Sequence, residues 1–355
     1  MTRIDSRAWL VWAGAAMLPA LVGRNPVVLL ELLAIVVIVH IVWRSAGSFA
    51  RVRWFVRIAA TFTLVGVLFN VLTVHAGTSV FARLPERWPV IGGPLTLNAL
   101  AYGVTSGVAL FTLVLIGTTA GSLLNWLDLF HALPHRLAPI AVAGSVAWTF
   151  LPQTAVAFGQ IRESQEMRGH RIRGVRTVLP LIVPLLAGAL ERALATAEAL
   201  EARGFGASVP RPATRRQASG LPVATLTVIA MVLLLTGAAG VFSGRAGPGA
   251  GAIALGATLF GFVLRRAEPH AVRRTRHRRS RWTWKETAIT TTAVASAIPP
   301  LLAIWLAPEA LRFEPYPELD IPKVNVPLML GIALLLTPAL VPPSPVSGDD
   351  PEFGG

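Results

Sequence analysis

The sequence predicts an all-α integral membrane protein, a multi-span helical bundle with two long helices kept at the cytoplasmic side. Three observations carry this expectation. Of the 355 residues 54% are hydrophobic and only 14% charged, and mean hydropathy is +0.61. Several uncharged runs approach or exceed the ~20 residues that a bilayer crossing needs. The net charge of +14 is gathered in the connections between apolar runs, where Lys/Arg bias sets membrane orientation, so topology explains it better than nucleic acid. The third observation is a repeated motif, Glu-x-x-Glu-x-Arg-Gly, which closes two Ala- and Leu-rich stretches at Glu163–Gly169 and Glu198–Gly204.

Taken in order, Ala8–Val22 and Pro26–Trp43 read as a helical hairpin around Gly23-Arg24-Asn25-Pro26, the first helix short and carrying Pro19. Glu31 and His40 fall inside the second. Ionisable groups within a bilayer are costly and often functional, but Glu31 lies near a helix end, within reach of the interface. Arg3, Asp5 and Arg7 precede the first apolar run without a small-x-small cleavage site, so a retained first span is expected. Arg44, Arg51, Arg53 and Arg57 read as a basic loop, Ile58–Val74 as the third span with Asn70 inside it, and His75–Pro94 as a loop holding Arg83, Glu86 and Arg87. A fourth span falls within Leu97–Ala120, whose Gly, Thr and Ser content suits close helix packing in a membrane.

Asn125–Asp128 with His131 and Pro134 reads as an interfacial helix and turn, and Asp128 and His131 are not taken as a catalytic pair. Leu137–Ile161 and Leu179–Leu190 with its continuation are apolar enough to cross. A crossing hairpin, however, would translocate Arg162, Arg168, Arg171, Arg173 and Arg176 against the Lys/Arg bias. The two helices are therefore expected on or partly in the inner face, packed through Ala187, Gly188, Ala193, Ala195 and Ala197. Beyond a basic linker, Pro210–Gly220 with Arg211, Arg215 and Arg216, lie Leu221–Phe242 and Gly249–Leu264 as the fifth and sixth spans. The strongly basic Arg265–Lys285, including Arg273 to Arg281, suits an anchor on anionic lipid. Thr287–Leu306 and Val326–Val341, the latter broken by Pro338, are the seventh and eighth spans, separated by an acidic segment with Glu309, Glu314, Glu318 and Asp320. The tail with Asp349, Asp350 and Glu352 is polar and expected to lack order. With the N-terminus inside, every Arg cluster is cytoplasmic and the acidic loop is outside. The organisation is 1–124, N-terminal spans; 125–206, the two long helices with their motifs; 207–242, linker and fifth span; and 243–355, a C-terminal extension.

In each motif the two Glu are three apart and share a helix face. The Gly sits where a helix commonly stops in a left-handed conformation, and the Arg in the last turn is favoured by the negative end of the dipole. A Glu in that turn opposes the dipole. Its presence in both copies points to paired contacts for a partner with two similar sockets, rather than to two unrelated helix stops. Much chemistry is missing. There is no Cys, so disulfides and thiolate sites are excluded, and only two of the basic residues, Lys285 and Lys323, are Lys. The glycine run from Gly244 lacks the Lys and hydroxyl of a phosphate loop, and there is no His-Glu-x-x-His site or nucleophile elbow. His131 and His135 have no third ligand and are interrupted by Pro134. No resident metal or cofactor is expected, and the chain has no recognisable route to hydrolyse ATP.

Met167-Arg168-Gly169, Ala202-Arg203-Gly204, Pro152 and the Asn25-Pro26 hairpin together resemble the transmembrane (T) component of energy-coupling factor transporters, over roughly residues 1–242. That resemblance implies a non-catalytic subunit of a prokaryotic cell-membrane importer for vitamins or metal ions. Its two long helices would be cytoplasmic coupling helices that cross one another and seat their ends in two ABC-type ATPase subunits. A membrane-embedded substrate-binding S subunit would be held by the same chain. By motif, Arg168 and Arg203 would contact the ATPases, Gly169 and Gly204 would turn the chain away, and Glu166 and Glu201 would orient the Arg side chains or pair with basic groups in the groove, with Ala202 beside them. Two departures stand out: Met167 where Ala is usual, and an extension of more than a hundred residues beyond the part that matches. The competing readings are a self-contained secondary transporter or channel, for which Glu31, His40 and Asn70 are sparse candidates, and a lipid-directed membrane enzyme, for which only Asp128 with His131 stands.

Overall fold

The computed structural model describes residues 4–43, 49–85, 88, 92–133, 137–169, 178–205, 221–243, 246–266 and 282–341. The helices run α1 Ser6–Val22, α2 Pro26–Trp43, α3 Phe49–Thr73, α4 Leu97–Leu123, α5 Trp126–Ala132, α6 Ala138–Met167, α7 Leu179–Ala202, α8 Leu221–Phe242, α9 Ala246–Arg266, α10 Trp284–Leu306, α11 Pro308–Leu311, α12 Val326–Ala333 and α13 Thr337–Leu340. The protein is an all-α multi-span membrane protein. Among the described residues six helices are long and apolar enough to cross a bilayer, lying within α2, α3, α4, α6, α7 and α10. Several expectations fall outside the described residues. These are Arg44, Glu86, Arg87, Pro134, His135, Arg171, Arg173, Arg176, the linker with Arg211, Arg215 and Arg216, the start of the Gly244 run, the basic residues Arg273 to Arg281, and the acidic tail.

Four local readings are corrected. His75–Pro94 is not simply loop: Val80–Leu84 (β1) and Gly93–Thr96 (β2) pair antiparallel, Ala82 opposite Leu95 and Leu84 opposite Gly93, with a bulge next to Val80. Gly93 and Pro94 made the second strand read as turn, but an isolated edge pairing tolerates both. Arg51, Arg53 and Arg57 belong to α3, which begins well before Ile58. The acidic segment expected as a connection opens with the short helix α11, for which Pro308 supplies the start. The eighth apolar stretch is two short helices joined by a 3₁₀ turn at Leu334–Leu336, because Pro338 has no N–H to continue the ladder.

The chain divides into two compact units. The first takes its described residues from Met1–Asn125, Val241–Pro248 and Arg273–Gly355, so the N-terminal helices and the part of the C-terminal extension from α10 onward share one core. In it α1 packs on α10, α2 and α4, while α12 packs on α10 and α2. Trp9 and Trp12 are wholly buried; Trp9 meets Trp12 and Trp43 edge-on with centroids 5.7 and 5.2 Å apart. Ile289 of α10, Leu328 and Ile332 of α12, and Leu335 fill the other side of that cluster. A buried indole N–H needs an acceptor, and both acceptors come from the extension: Trp12 Nε1 donates to the Leu335 carbonyl at 3.0 Å and Trp43 Nε1 to that of Pro338 at 2.7 Å. On the other flank, the small residues of α4 mark its contact with α3. A Cβ on Gly107 would lie 2.6 Å from Thr63 Cγ2, and one on Gly103 3.3 Å from Val67 Cα.

Two buried asparagines tie the extension down. Asn25 Nδ2 donates to the carbonyls of Ala310 (2.9 Å) and Lys323 (2.8 Å), while the Arg24 and Asn25 N–H groups both donate to the Leu311 carbonyl. Asn98 Nδ2, at the head of α4, donates to the carbonyls of Pro315 and Pro317, and its Oδ1 accepts from the Ser79 N–H. The Glu309 carboxylate and the Lys323 ammonium pair within the same segment. Hydrogen bonding and charge from Lys323 lower the Glu309 carboxyl below 4.5, and Glu309 raises the Lys323 ammonium above 10.5. The depressed acid holds its contribution above 4.5 and loses it as pH falls through the folded value. The raised base holds its contribution below 10.5 and loses it as pH rises through the folded value. Both side chains are exposed, so the pair contributes little to stability. Replacing Asn25 by Ala is expected to cost about 1–3 kcal/mol, because it strands buried carbonyls. A melting curve of the purified chain in detergent checks it, with Glu309→Gln as the near-neutral control.

The second unit holds α5, α6, α7, all but the end of α8 and all but the start of α9. The expected contact between the two long helices is present, since α6 packs on α7, but the expected stripe does not make it. Ala187, Ala193, Ala195 and Ala197 are exposed, and a Cβ on Gly188 would meet nothing within 4 Å. The half-buried residues of α7 are Leu185, Gly188, Ala189, Arg192, Thr196 and Leu200, and those of α6 include Phe150, Thr154, Phe158 and Ile161. Each set follows the i, i+3/i+4 spacing of one helix face. A run of Ala is uninformative about direction because alanine is small enough to lie on any face, whereas the larger residues settle which side is covered.

Candidate functional site: two matched helix ends

The two motifs build the same backbone. At the end of α6 the cap residue Arg168 has φ −82°, ψ 7°, and Gly169 follows at φ +83°. At the end of α7 Arg203 has φ −86°, ψ 7°, and Gly204 follows at φ +74°. In both, the glycine N–H returns to the carbonyl of the second Glu, Gly169 to Glu166 at 3.0 Å and Gly204 to Glu201 at 2.8 Å. The Phe205 N–H closes on the Leu200 carbonyl at 2.9 Å, completing a Schellman motif at the second end. Each Arg is thus the cap residue one step beyond the last helical turn, where the last carbonyls still favour a cation.

These ends are bare. Glu163, Glu166, Met167, Arg168 and Gly169 are exposed, as are Glu198, Glu201, Ala202, Arg203 and Gly204. Among the described residues neither Arg168 nor Arg203 has an ion pair or a side-chain hydrogen bond. Glu166 does not orient Arg168: its carboxylate accepts from Arg162 Nε at 2.8 Å, one helical turn back, a contact that geometry makes easier than reaching around the cap. Glu201 has no ion pair among the described residues. One face of each helix behind the ends is also exposed among the described residues: Ile140, Leu151 and Val156 of α6, and Val183, Leu186, Leu190 and Leu194 of α7. Exposed guanidinium tips on rods with an exposed apolar face suit insertion into a partner with the shafts in lipid or protein.

The glycine is required by the backbone, not by space, since a Cβ at Gly169 or Gly204 would meet nothing within 4 Å. A left-handed φ costs a residue with a Cβ about 1–2 kcal/mol, while Asn tolerates it better. Gly204→Ala is therefore expected to speed amide exchange at Gly204 and Phe205 roughly tenfold or more, with Gly204→Asn in between. Hydrogen–deuterium exchange in detergent reads this, and unchanged rates in the Ala variant would contradict it.

A family model described as cobalt transport protein, CbiQ, matches residues 1–213. The chain belongs to that family. Among curated proteins it is similar to the energy-coupling factor transporter transmembrane protein EcfT of Staphylococcus aureus, 28% identical over 141 residues, covering 35% of this chain and 53% of that protein. It is also similar to EcfT 1 of Listeria monocytogenes, 28% identical over 162 residues (40% and 57%), and to EcfT of Leuconostoc gelidum, 35% identical over 81 residues (21% and 30%). The chain spans about half, or less, of the length of these relatives. These relatives are transmembrane proteins of energy-coupling factor transporters, the type that the two motifs resemble. Both motifs lie inside the match, whereas α10 to α13 lie beyond it although they complete the core of the first unit.

The sparse polar candidates within the apolar helices all lie in the first unit. His40 Nδ1 lies 3.0 Å from Thr119 Oγ1, and Asn70 Oδ1 and Glu31 Oε2 are buried without a hydrogen bond. What sequence reasoning missed was the role of Asn25 and Asn98. Asn25 next to Pro26 reads as a turn, and nothing local in the chain announces acceptors nearly three hundred residues away.

Proposed function

We propose that this chain is the non-catalytic membrane scaffold of an energy-coupling factor importer. It would couple ATP hydrolysis by two partner ABC-type ATPases to uptake of a vitamin or metal ion through a membrane-embedded S subunit. The observation that supports this best is the pair of helix ends with one backbone design and one exposed guanidinium each, neither with a partner among the described residues. A guanidinium offers five fixed donors to carboxylates and backbone carbonyls, which an ammonium cannot match. Arg168 and Arg203 are the ATPase contacts, with Gly169 and Gly204 turning the chain clear of the socket and Glu166, Glu201 and Ala202 flanking it. Closure of the ATPases on nucleotide draws the two ends together. The packed α6–α7 pair then shifts as a rigid element and re-orients the S subunit.

In this reading the N-terminus and both ends are cytoplasmic, although the α6 and α7 stretches are long and apolar enough to span. The Arg-rich sequence around the first motif favours the inner face. Of the extension, 243–355, the part from α10 onward serves the first unit, whereas most of α9 belongs to the unit that holds α6 and α7. Affinity purification of the chain from its native membrane is expected to bring ATPase subunits with it. Single-Cys variants at Ser164 and Ala199, in a chain that otherwise has no Cys, are expected to resist an impermeant thiol reagent applied to intact cells. Outside labelling of both positions, or solute transport by the chain alone in liposomes, would defeat the scaffold reading in favour of a self-contained transporter.

A further inference from the structure

The two ends share a backbone but not a surface chemistry, and we propose that they are not interchangeable: Glu201 at the second end contacts a basic group of its socket, and Met167 at the first end fills an apolar pocket in the other. This rests on the ends being the ATPase contacts. Because cap angles, glycine conformation and the returning hydrogen bond agree between the two copies, a socket can tell them apart only by side chains.

Two differences are available for that discrimination. At the residue before the cap, the first end carries Met167, 79% exposed, and the second carries Ala202. A flexible thioether so exposed among the described residues is free to adapt to a partner's apolar pocket. One turn behind the second Glu, the first end carries Arg162, whose Nε holds the Glu166 carboxylate, while the second carries Ala197. An exposed pair of that kind is weak in energy, but it keeps a positive charge beside Glu166 whatever its geometry. Over the matching stretches 162–169 and 197–204, the first end balances two acids with two bases, and the second sets two acids against Arg203 alone. Glu201 therefore presents an uncompensated carboxylate next to the tip. A socket complementary to the second end carries a cation that would repel the surroundings of the first.

The test exchanges these features in the full chain, assembled with the ATPase subunits that co-purify with it, and measures ATPase retention as wash salt is raised. Ala197→Arg gives Glu201 an intrahelical partner and is expected to weaken retention about fivefold to tenfold, whereas Arg162→Ala is expected to change it less than twofold. Met167→Ala is expected to weaken it about tenfold, and Ala202→Met to weaken it too, by adding bulk where the socket has no pocket. All four positions are exposed, so folding is not at stake. Equal effects of Ala197→Arg and Arg162→Ala, or full retention with Met167→Ala, would overturn the inference while leaving the scaffold reading intact. If the unmodified chain retains no ATPase, both fall.

Discussion

Replacing Arg168 and Arg203 together by alanine is expected to abolish ATPase co-purification and ATP-coupled uptake while leaving membrane insertion and melting behaviour unchanged. Arginine is over-represented among residues whose truncation costs about 2 kcal/mol or more at an interface. One such loss corresponds to roughly thirtyfold in affinity, and two independent ones to about a thousandfold. Folding has little to lose, since both side chains are exposed and neither has a partner among the described residues; the cap position contributes only a few tenths of a kcal/mol to about 1 through the dipole. The Lys variants sharpen the result. They keep the charge but not the planar fork, so an intermediate loss is expected. A double alanine variant that takes up substrate at the unmodified rate would remove the coupling role from these residues.

Ending the chain after Phe242 is expected to give a protein that inserts but does not reach a monodisperse folded state, and this is the largest structural effect foreseen. In water the argument would rest on the apolar area of Ile289, Leu328, Ile332 and Leu335. In a bilayer, lipid chains meet the uncovered face of α1 and α2 at little penalty. Lipid cannot replace hydrogen-bond acceptors. Truncation removes the Leu335 and Pro338 carbonyls that accept from Trp12 and Trp43, both acceptors of Asn25 and both of Asn98. Each such bond in a membrane protein is worth on the order of 1 kcal/mol, so losing six consumes a large part of a marginal stability. Size-exclusion chromatography with a fluorescent tag reads this directly. A truncated chain that runs as a single peak with an unchanged melting temperature would show the extension to be dispensable.

Legibility along the chain followed the range of the physics involved. Helix existence and type depend on apolar runs and on Pro and Gly, all local, so α2 and α8 begin and end at the residues expected from the chain. The helix ends at Arg168 and Arg203 were equally local: a glycine that accepts positive φ and a Glu two residues before the cap suffice to write that stop. The small residues of α4 correctly marked close packing because Thr63 and Val67 of α3 need room at Gly107 and Gly103. The alanines of α7 misled for the opposite reason, a small side chain carrying no direction of its own. The hairpin at Val80–Thr96 was hidden because its pairing energy belongs to two strands and neither has a strong pattern alone.

By itself the sequence determined the membrane class, the order of the helices and the two matched Arg-Gly ends, since each follows from hydropathy, charge placement and backbone preference within a few residues. Only the tertiary structure decided that the extension from α10 onward belongs to the N-terminal core, that Asn25 and Asn98 hold it there, and that Glu166 faces Arg162 rather than its own cap. Those are hydrogen bonds and ion pairs whose existence depends on where distant carbonyls and neighbouring turns come to rest, and no local pattern encodes that distance.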